Sequence, residues 1–216
     1  MPTGSSRWWT AGSAATPAVP EVPSAPWRLR AEHGVALTGW APAKELAPWW
    51  PPELESPAGR VPMILAAARY EGDSTLCYSE LVIGVLIRSP GWRLLPLRLL
   101  ADQEAARRGG ERIWGLHKEL AEFAWTERPE PRNRKSYELV IRQGDRPVLD
   151  LWWMPRWLAL PIRAPVPVAG DRPWTLEARA RVQRAVHHLS ARPPGTPGWL
   201  LAWHLSDLEL VAPAPD

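Results

Sequence analysis

Two segments of the 216-residue chain place chemically competent side chains among apolar neighbours. In LCYSELVIG, residues 76–84, Glu80 interrupts an otherwise apolar, strand-like run. A carboxylate there costs free energy unless it is paired or solvated. In GGERIWGLHKELAEF, residues 109–123, Lys118 follows a glycine-containing turn and precedes an apolar strand. A lysine in such surroundings tends to lose its proton. Of the 26 lysines and arginines, only Lys44, Lys118 and Lys135 are lysines. Any chemistry that needs a deprotonated amine is therefore confined to those three and the N-terminus, because a guanidinium keeps its proton. Lys44 and Lys135 lie in segments where arginine would serve as well.

The elements that must position these groups read as strands. Apolar and β-branched runs cut by short turn signals predict strands near 28–39, 61–70, 75–88, 92–101, 120–128, 135–143, 146–154, 175–190 and 199–211. Gly72-Asp73, Ser89-Pro90-Gly91 and Gly144-Asp145 supply the turns; glycine accepts the positive φ that a tight hairpin needs. Leu176, Ala178, Ala180 and Val182 alternate with charged residues, favouring a strand, although Ala and Arg also suit a helix. Short helices are expected around 43–48 and 102–108. Pro161 to Pro173 reads as a loop. Residues 1–26 read as a loosely ordered tail, with Trp8-Trp9 able to dock on the body, and 27–216 as one β domain. The pattern predicts a barrel or a sandwich.

Composition excludes several functions. A net charge of +3 with arginines interleaved among acids gives no basic run for phosphates, so no nucleic-acid partner is expected. The densest spots, Arg107-Arg108 and the cluster of Arg132, Arg134 and Lys135, read as solvated loop charge. A single cysteine, Cys77, excludes an internal disulfide and reads as a buried structural thiol. No signal-like or membrane-spanning apolar stretch is present, and the expected location is the cytoplasm. His187-His188 lack metal-ligand spacing, so no metal is expected. Most of the 15 tryptophans read as core packing.

The two chemical segments together resemble the acetoacetate decarboxylase family. That family carries a Tyr-x-Glu on one strand, matched by Tyr78-Ser79-Glu80. Downstream it has a Gly-Arg-Glu turn and then Pro-Lys-Lys, matched by Gly110-Glu111-Arg112 and His117-Lys118-Glu119, with eight residues from Gly to Lys. PWRLRAEHGVALTGWAPAKELAPWWPPELE, residues 26–55, is similar to the family's opening strand, short helix and Pro-Glu-Leu turn. The resemblance covers roughly residues 26–160 and then weakens.

The resemblance implies a mainly β, antiparallel, barrel-like fold with few short helices and a pocket within. It also implies a homo-oligomer. The implied activity is that of a lyase working through a lysine Schiff base on a small keto acid or related carbonyl compound, without a cofactor. Lys118 would be the nucleophile and Glu80 the acid/base or electrostatic partner. Decarboxylation is the default reaction; aldol or dehydration chemistry through the same imine is also open. Arg30, and after it Arg28, would anchor a carboxylate, and Tyr78, Trp114 and His117 would line the pocket. The family's second lysine is replaced by Glu119, whose charge would oppose activation unless strand alternation turns it away. The family's substrate-facing arginine aligns with Glu32, and its other pocket glutamate falls at Ile64 or Leu65. These replacements leave a second reading: a non-catalytic barrel binding a small apolar or carboxylated ligand.

Overall fold

A two-residue alternation runs through the first strand and sets the sidedness of the molecule. In β1 (Trp27–Pro42), Trp27, Leu29 and Ala31 are buried, while Arg28, Arg30 and Glu32 between them are exposed. The computed structural model describes residues 21–55, 57–88, 91–169, 174–193, 195–197 and 200–215. Trp8-Trp9 and most of the expected tail lie outside these. Residues 21–26 form no helix or strand, and the Trp27 indole donates back to the Pro23 carbonyl at 3.1 Å.

After β1 come α1 (Ala43–Leu46), a 3-10 turn (Ala47–Trp49), β2 (Arg60–Tyr70), β3 (Tyr78–Arg88) and β4 (Trp92–Ala101). The chain continues through α2 (Glu104–Trp114), β5 (Lys118–Leu120), β6 (Glu122–Glu130), β7 (Arg134–Gln143), β8 (Arg146–Val168), β9 (Trp174–Ala191) and β10 (Leu201–Ala212). The strands form one sheet in the order β5-β4-β3-β2-β1-β10-β9-β8-β7-β6. Neighbours pair antiparallel, except for β4 with β5. One parallel bridge, Leu94 with Val168, joins β4 to β8 and closes the strands between them into a ring. The Ala169 N–H donates to the Leu94 carbonyl at 2.8 Å beside it. Among the described residues this is a mainly β architecture with two short α-helices. Among the described residues, no helix is long and apolar enough to cross a membrane.

Two apolar clusters fill the molecule. Leu37, Leu65, Ile83, Leu139, Leu151 and Trp153 belong to one; Trp27, Leu29, Tyr70, Tyr78 and Trp114 belong to the other. Tryptophan supplies core volume at Trp27, Trp114 and Trp153, whereas Trp40 and Trp92 are exposed.

Three expectations need correction. The stretch from Pro161 is no loop: β8 runs to Val168 and pairs with β9 without a break from Ala159. Pro161, Pro165 and Pro167 share one parity, so their missing N–H groups all fall on the side away from β9, where a strand tolerates proline. Residues 170–173 of that expected loop lie outside the described residues. Second, Gly109 to Arg112 are helical, and α2 runs six residues beyond the expected end. The glycines serve close packing: a Cβ on Gly109 would stand 2.4 Å from the Trp27 ring. Third, β3 begins only at Tyr78, so Cys77 sits in the preceding turn and is exposed.

Candidate active site

Register brings the chemical groups together. Across β2 and β3, Tyr70 faces Tyr78 and Ala68 faces Glu80; across β3 and β4, Glu80 faces Ala101. Both cross-strand partners of Glu80 are alanines, so longer side chains from farther away have room to reach its carboxylate. Lys118 is the first residue of β5 and pairs with Leu99, two residues before Ala101 on β4 and hence on the same face. Its amine extends over Ala101 toward Glu80.

Several devices aim Lys118 inward. Gly115, with φ of +67°, ends α2 in the left-handed conformation, and its N–H returns to the Glu111 carbonyl at 3.1 Å. The chain then turns through Leu116 and His117 into β5. Gly110 lies beneath the lysine stem, where a Cβ would come within 2.8 Å of Lys118 Cε.

Lys118 is 4% exposed and Glu80 9%. Lys118 Nζ lies 2.5 Å from Glu80 Oε1 and 3.4 Å from Tyr78 Oη. The Tyr70 and Tyr78 hydroxyls each approach Glu80 Oε2 at 3.4 Å, long for hydrogen bonds and correspondingly weak. Burial, and then the charge of Glu80, push both phenols well above their ordinary range, so they stay protonated donors. A salt bridge is thus buried with two phenols in attendance, its two members joined over one short contact.

The amine and the carboxylate open onto a cavity of about 80 Å³. That is several times the roughly 10–15 Å³ that one water needs. Its walls are Trp27, Trp114 and Trp174 with aliphatic residues from β1, β3, β4, β8, β9 and β10. The indoles form a chain of close contacts, Trp27 to Trp114 at 4.9 Å and Trp114 to Trp174 at 5.7 Å between ring centroids. The Trp114 indole also donates to the Pro213 carbonyl at 2.7 Å, fixing its orientation.

Of the expected site residues, Lys118, Glu80, Tyr78 and Trp114 meet at this cavity. Arg30 and Arg28 do not. They share the outward parity of β1, and Arg30 is 55% exposed, paired with Asp73 at 2.7 Å and Glu209 at 3.1 Å. His117 is exposed, one residue out of phase with Lys118. Glu119 is likewise turned to the opposite face, where Arg98 clamps it at 2.9 and 3.0 Å and Gln143 donates at 2.8 Å. The Arg98 hydrogen bonds hold the Glu119 carboxyl below its ordinary range.

Sequence reasoning missed Tyr70, Trp27 and Trp174. Tyr70 left a signal: it is one of three tyrosines, and the turn read at Gly72-Asp73 folds its strand back onto Tyr78. Trp27 and Trp174 left none, because their strands reach the cavity only when the ring closes.

Against solved structures, the chain superposes on acetoacetate decarboxylase from Legionella pneumophila subsp. pneumophila str. Philadelphia 1 with a TM-score of 0.64, covering 94% of this chain and 92% of that one. The chain has the acetoacetate decarboxylase-like fold. Identity to that protein is 15%, and the shared coverage extends past residue 160, where sequence resemblance weakens. The same fold is found in an acetoacetate decarboxylase-like enzyme from Sphingomonas wittichii RW1 (TM-score 0.55, 10% identity, 95% and 99% coverage). It is also found in the enduracididine biosynthesis enzyme MppR complexed with pyruvate (TM-score 0.54, 14% identity, 90% of each chain). No protein-family model and no curated protein sequence matches the chain.

Proposed function

We propose that this protein is a Schiff-base enzyme in which Lys118 attacks a small carbonyl compound and Glu80 handles the protons. One observation carries the reading: a lysine amine buried at an apolar cavity with a carboxylate 2.5 Å away. Glu80 takes a proton from the Lys118 ammonium, and the free amine adds to the carbonyl carbon. The proton then goes to the oxygen of the adduct, water leaves, and an iminium forms beside the Glu80 carboxylate. The iminium nitrogen accepts the electron pair of a bond broken at the neighbouring carbon, whose other partner leaves as carbon dioxide or as a proton taken up by the Glu80 carboxylate. The enamine carbon is then protonated by water in the first case and by the Glu80 carboxylic acid in the second. Addition of water to the iminium returns product and amine. MppR, with the same fold, holds pyruvate, itself a small carbonyl compound.

The test is borohydride reduction during incubation with a panel of aldehydes, ketones and keto acids. Mass spectrometry should find a reduced adduct on Lys118, absent from Lys118→Arg. If no member of the panel marks Lys118, the proposal fails.

The second reading is favoured by the closure of the Lys118–Glu80 pair on itself, which suits a ligand-binding site without chemistry. It expects Lys118→Met to keep its ligand affinity while wild type yields no adduct. Assembly into a homo-oligomer belongs to the same proposal. Leu158, Leu160 and Ile162 on β8 offer exposed apolar surface for a second copy, and sedimentation of the purified protein reads the outcome.

A further inference from the structure

We infer that the carbonyl compound taken by this site is uncharged: a small aldehyde or ketone with apolar substituents, not a keto acid. This rests on the Schiff-base reading above and narrows its substrate class. Among the described residues lining the cavity, Lys118 and Glu80 are the only charged ones, and each is the other's partner at 2.5 Å. The nearby cations are directed elsewhere. Arg28 and Arg30 lie on the outer face of β1, His117 faces outward, and Arg98 is clamped to Glu119 on the far side of β4 and β5.

Charge bookkeeping then separates the substrate classes. With a neutral ketone the site stays at net zero throughout: ammonium with carboxylate, amine with carboxylic acid, iminium with carboxylate. A keto acid adds one negative charge among indole and aliphatic walls, next to Glu80, with no second cation among the described lining residues to receive it. Placing an uncompensated carboxylate in such walls is strongly unfavourable. The indoles of Trp27, Trp114 and Trp174 instead present flat apolar surface to an alkyl or aromatic substituent.

A neutral substrate has no carboxylate to lose, so the iminium draws its electron pair from a Cα–H bond. The Glu80 carboxylate removes that proton, the C–H electrons form the enamine double bond, and the nitrogen becomes neutral. Reversal returns a proton from Glu80, which in D2O is a deuteron. The step needs no co-reactant beyond water.

The decisive pair of probes is 4-methylpentan-2-one and acetoacetate, in which an isopropyl group replaces the carboxylate. Equilibrium binding by calorimetry, without reductant, should show the ketone half-saturating at a concentration lower by about tenfold or more. Borohydride trapping at Lys118 should follow the same order. NMR should show deuterium entering the α-positions of the ketone with wild type and not with Lys118→Met. Leu210→Arg, which adds a cation on a half-buried lining position, should shift the preference toward acetoacetate. Equal or tighter binding of acetoacetate by wild type overturns the inference while leaving Schiff-base chemistry in place. Adducts with neither probe overturn the Schiff-base reading, and calorimetry then decides the charge preference by itself. No binding of either probe overturns both.

Discussion

The stem of Lys118 crosses the bare Cα of Gly110, so closely that a methyl there would lie 2.8 Å from Cε and 3.2 Å from Cδ. Helix α2 gives up helix propensity at this point, roughly 1 kcal/mol against alanine, to let a buried lysine pass. Its chain neighbour Gly109 does the same for the rigid ring of Trp27.

These two glycines should respond differently to alanine. At Gly110 the nearest group is the Lys118 side chain, which can shift, with the Leu116 carbonyl at 3.2 Å, so Gly110→Ala should fold with a smaller loss of Tm than Gly109→Ala while slowing borohydride trapping at Lys118. At Gly109 the obstruction is an indole held by Pro23, and overpacking should cost about 1–3 kcal/mol net, seen as a lower urea midpoint. Equal thermal losses in the two variants would contradict this account of α2.

Glu80→Gln leaves the Lys118 ammonium buried without its counter-charge. Breaking a buried pair from one side costs about 3–5 kcal/mol. The double variant Glu80→Gln/Lys118→Met removes both charges and should recover much of that loss, which urea titration of the four-member cycle measures. Additive losses would mean that the two charges do not interact.

Outward-facing residues should be silent in the chemistry. Arg28→Ala, Arg30→Ala and Glu119→Gln should each leave trapping at Lys118 unchanged, because β1 and β5 turn these side chains away from the cavity. Arg30 contributes only exposed ion pairs, whose removal changes stability little. Glu119→Gln should show one further effect. Because Arg98 lowers the folded-state affinity of Glu119 for a proton, its contribution is present at neutral pH and fades as pH falls through the acid range; the variant should lose that part of the pH dependence.

A histidine outside the site should weaken the fold in mild acid. His204 is 3% exposed, accepts the Trp153 indole N–H on Nδ1 at 3.2 Å and stacks on Tyr137. Burial, with a smaller contribution from His33, lowers it from 6.5 to about 4. Between those values the unfolded chain binds a proton that the folded chain refuses, so stability falls as pH drops from 6.5 toward 4. The full effect is on the order of 3 kcal/mol. Urea midpoints measured across this window should decline in wild type and much less in His204→Asn, whose amide oxygen can still accept from Trp153.

How much of this was legible beforehand follows from the range of the forces involved. Alternation and turn residues act within a few positions. They therefore revealed most of the strands, though not β5 or the second half of β8, together with the hairpin at Gly144-Asp145 with its φ of +56° and the isolation of Glu80 and Lys118 among apolar neighbours. The scarcity of lysine left three side-chain amines, and the resemblance of the surrounding motif singled out Lys118 among them. Registry between distant strands depends on every strand in the ring, and no local pattern encodes it. Tertiary structure alone set Tyr70 opposite Tyr78, placed alanines on both sides of Glu80, and brought Trp27 and Trp174 to one cavity. It also decided which parity of β1 faces inward, excluding Arg28 and Arg30, and carried β8 through Pro161 and Pro165 along a stretch paired with β9 alone among the described strands. Residue types determined which groups could do chemistry; the closing of the ring decided which of them meet.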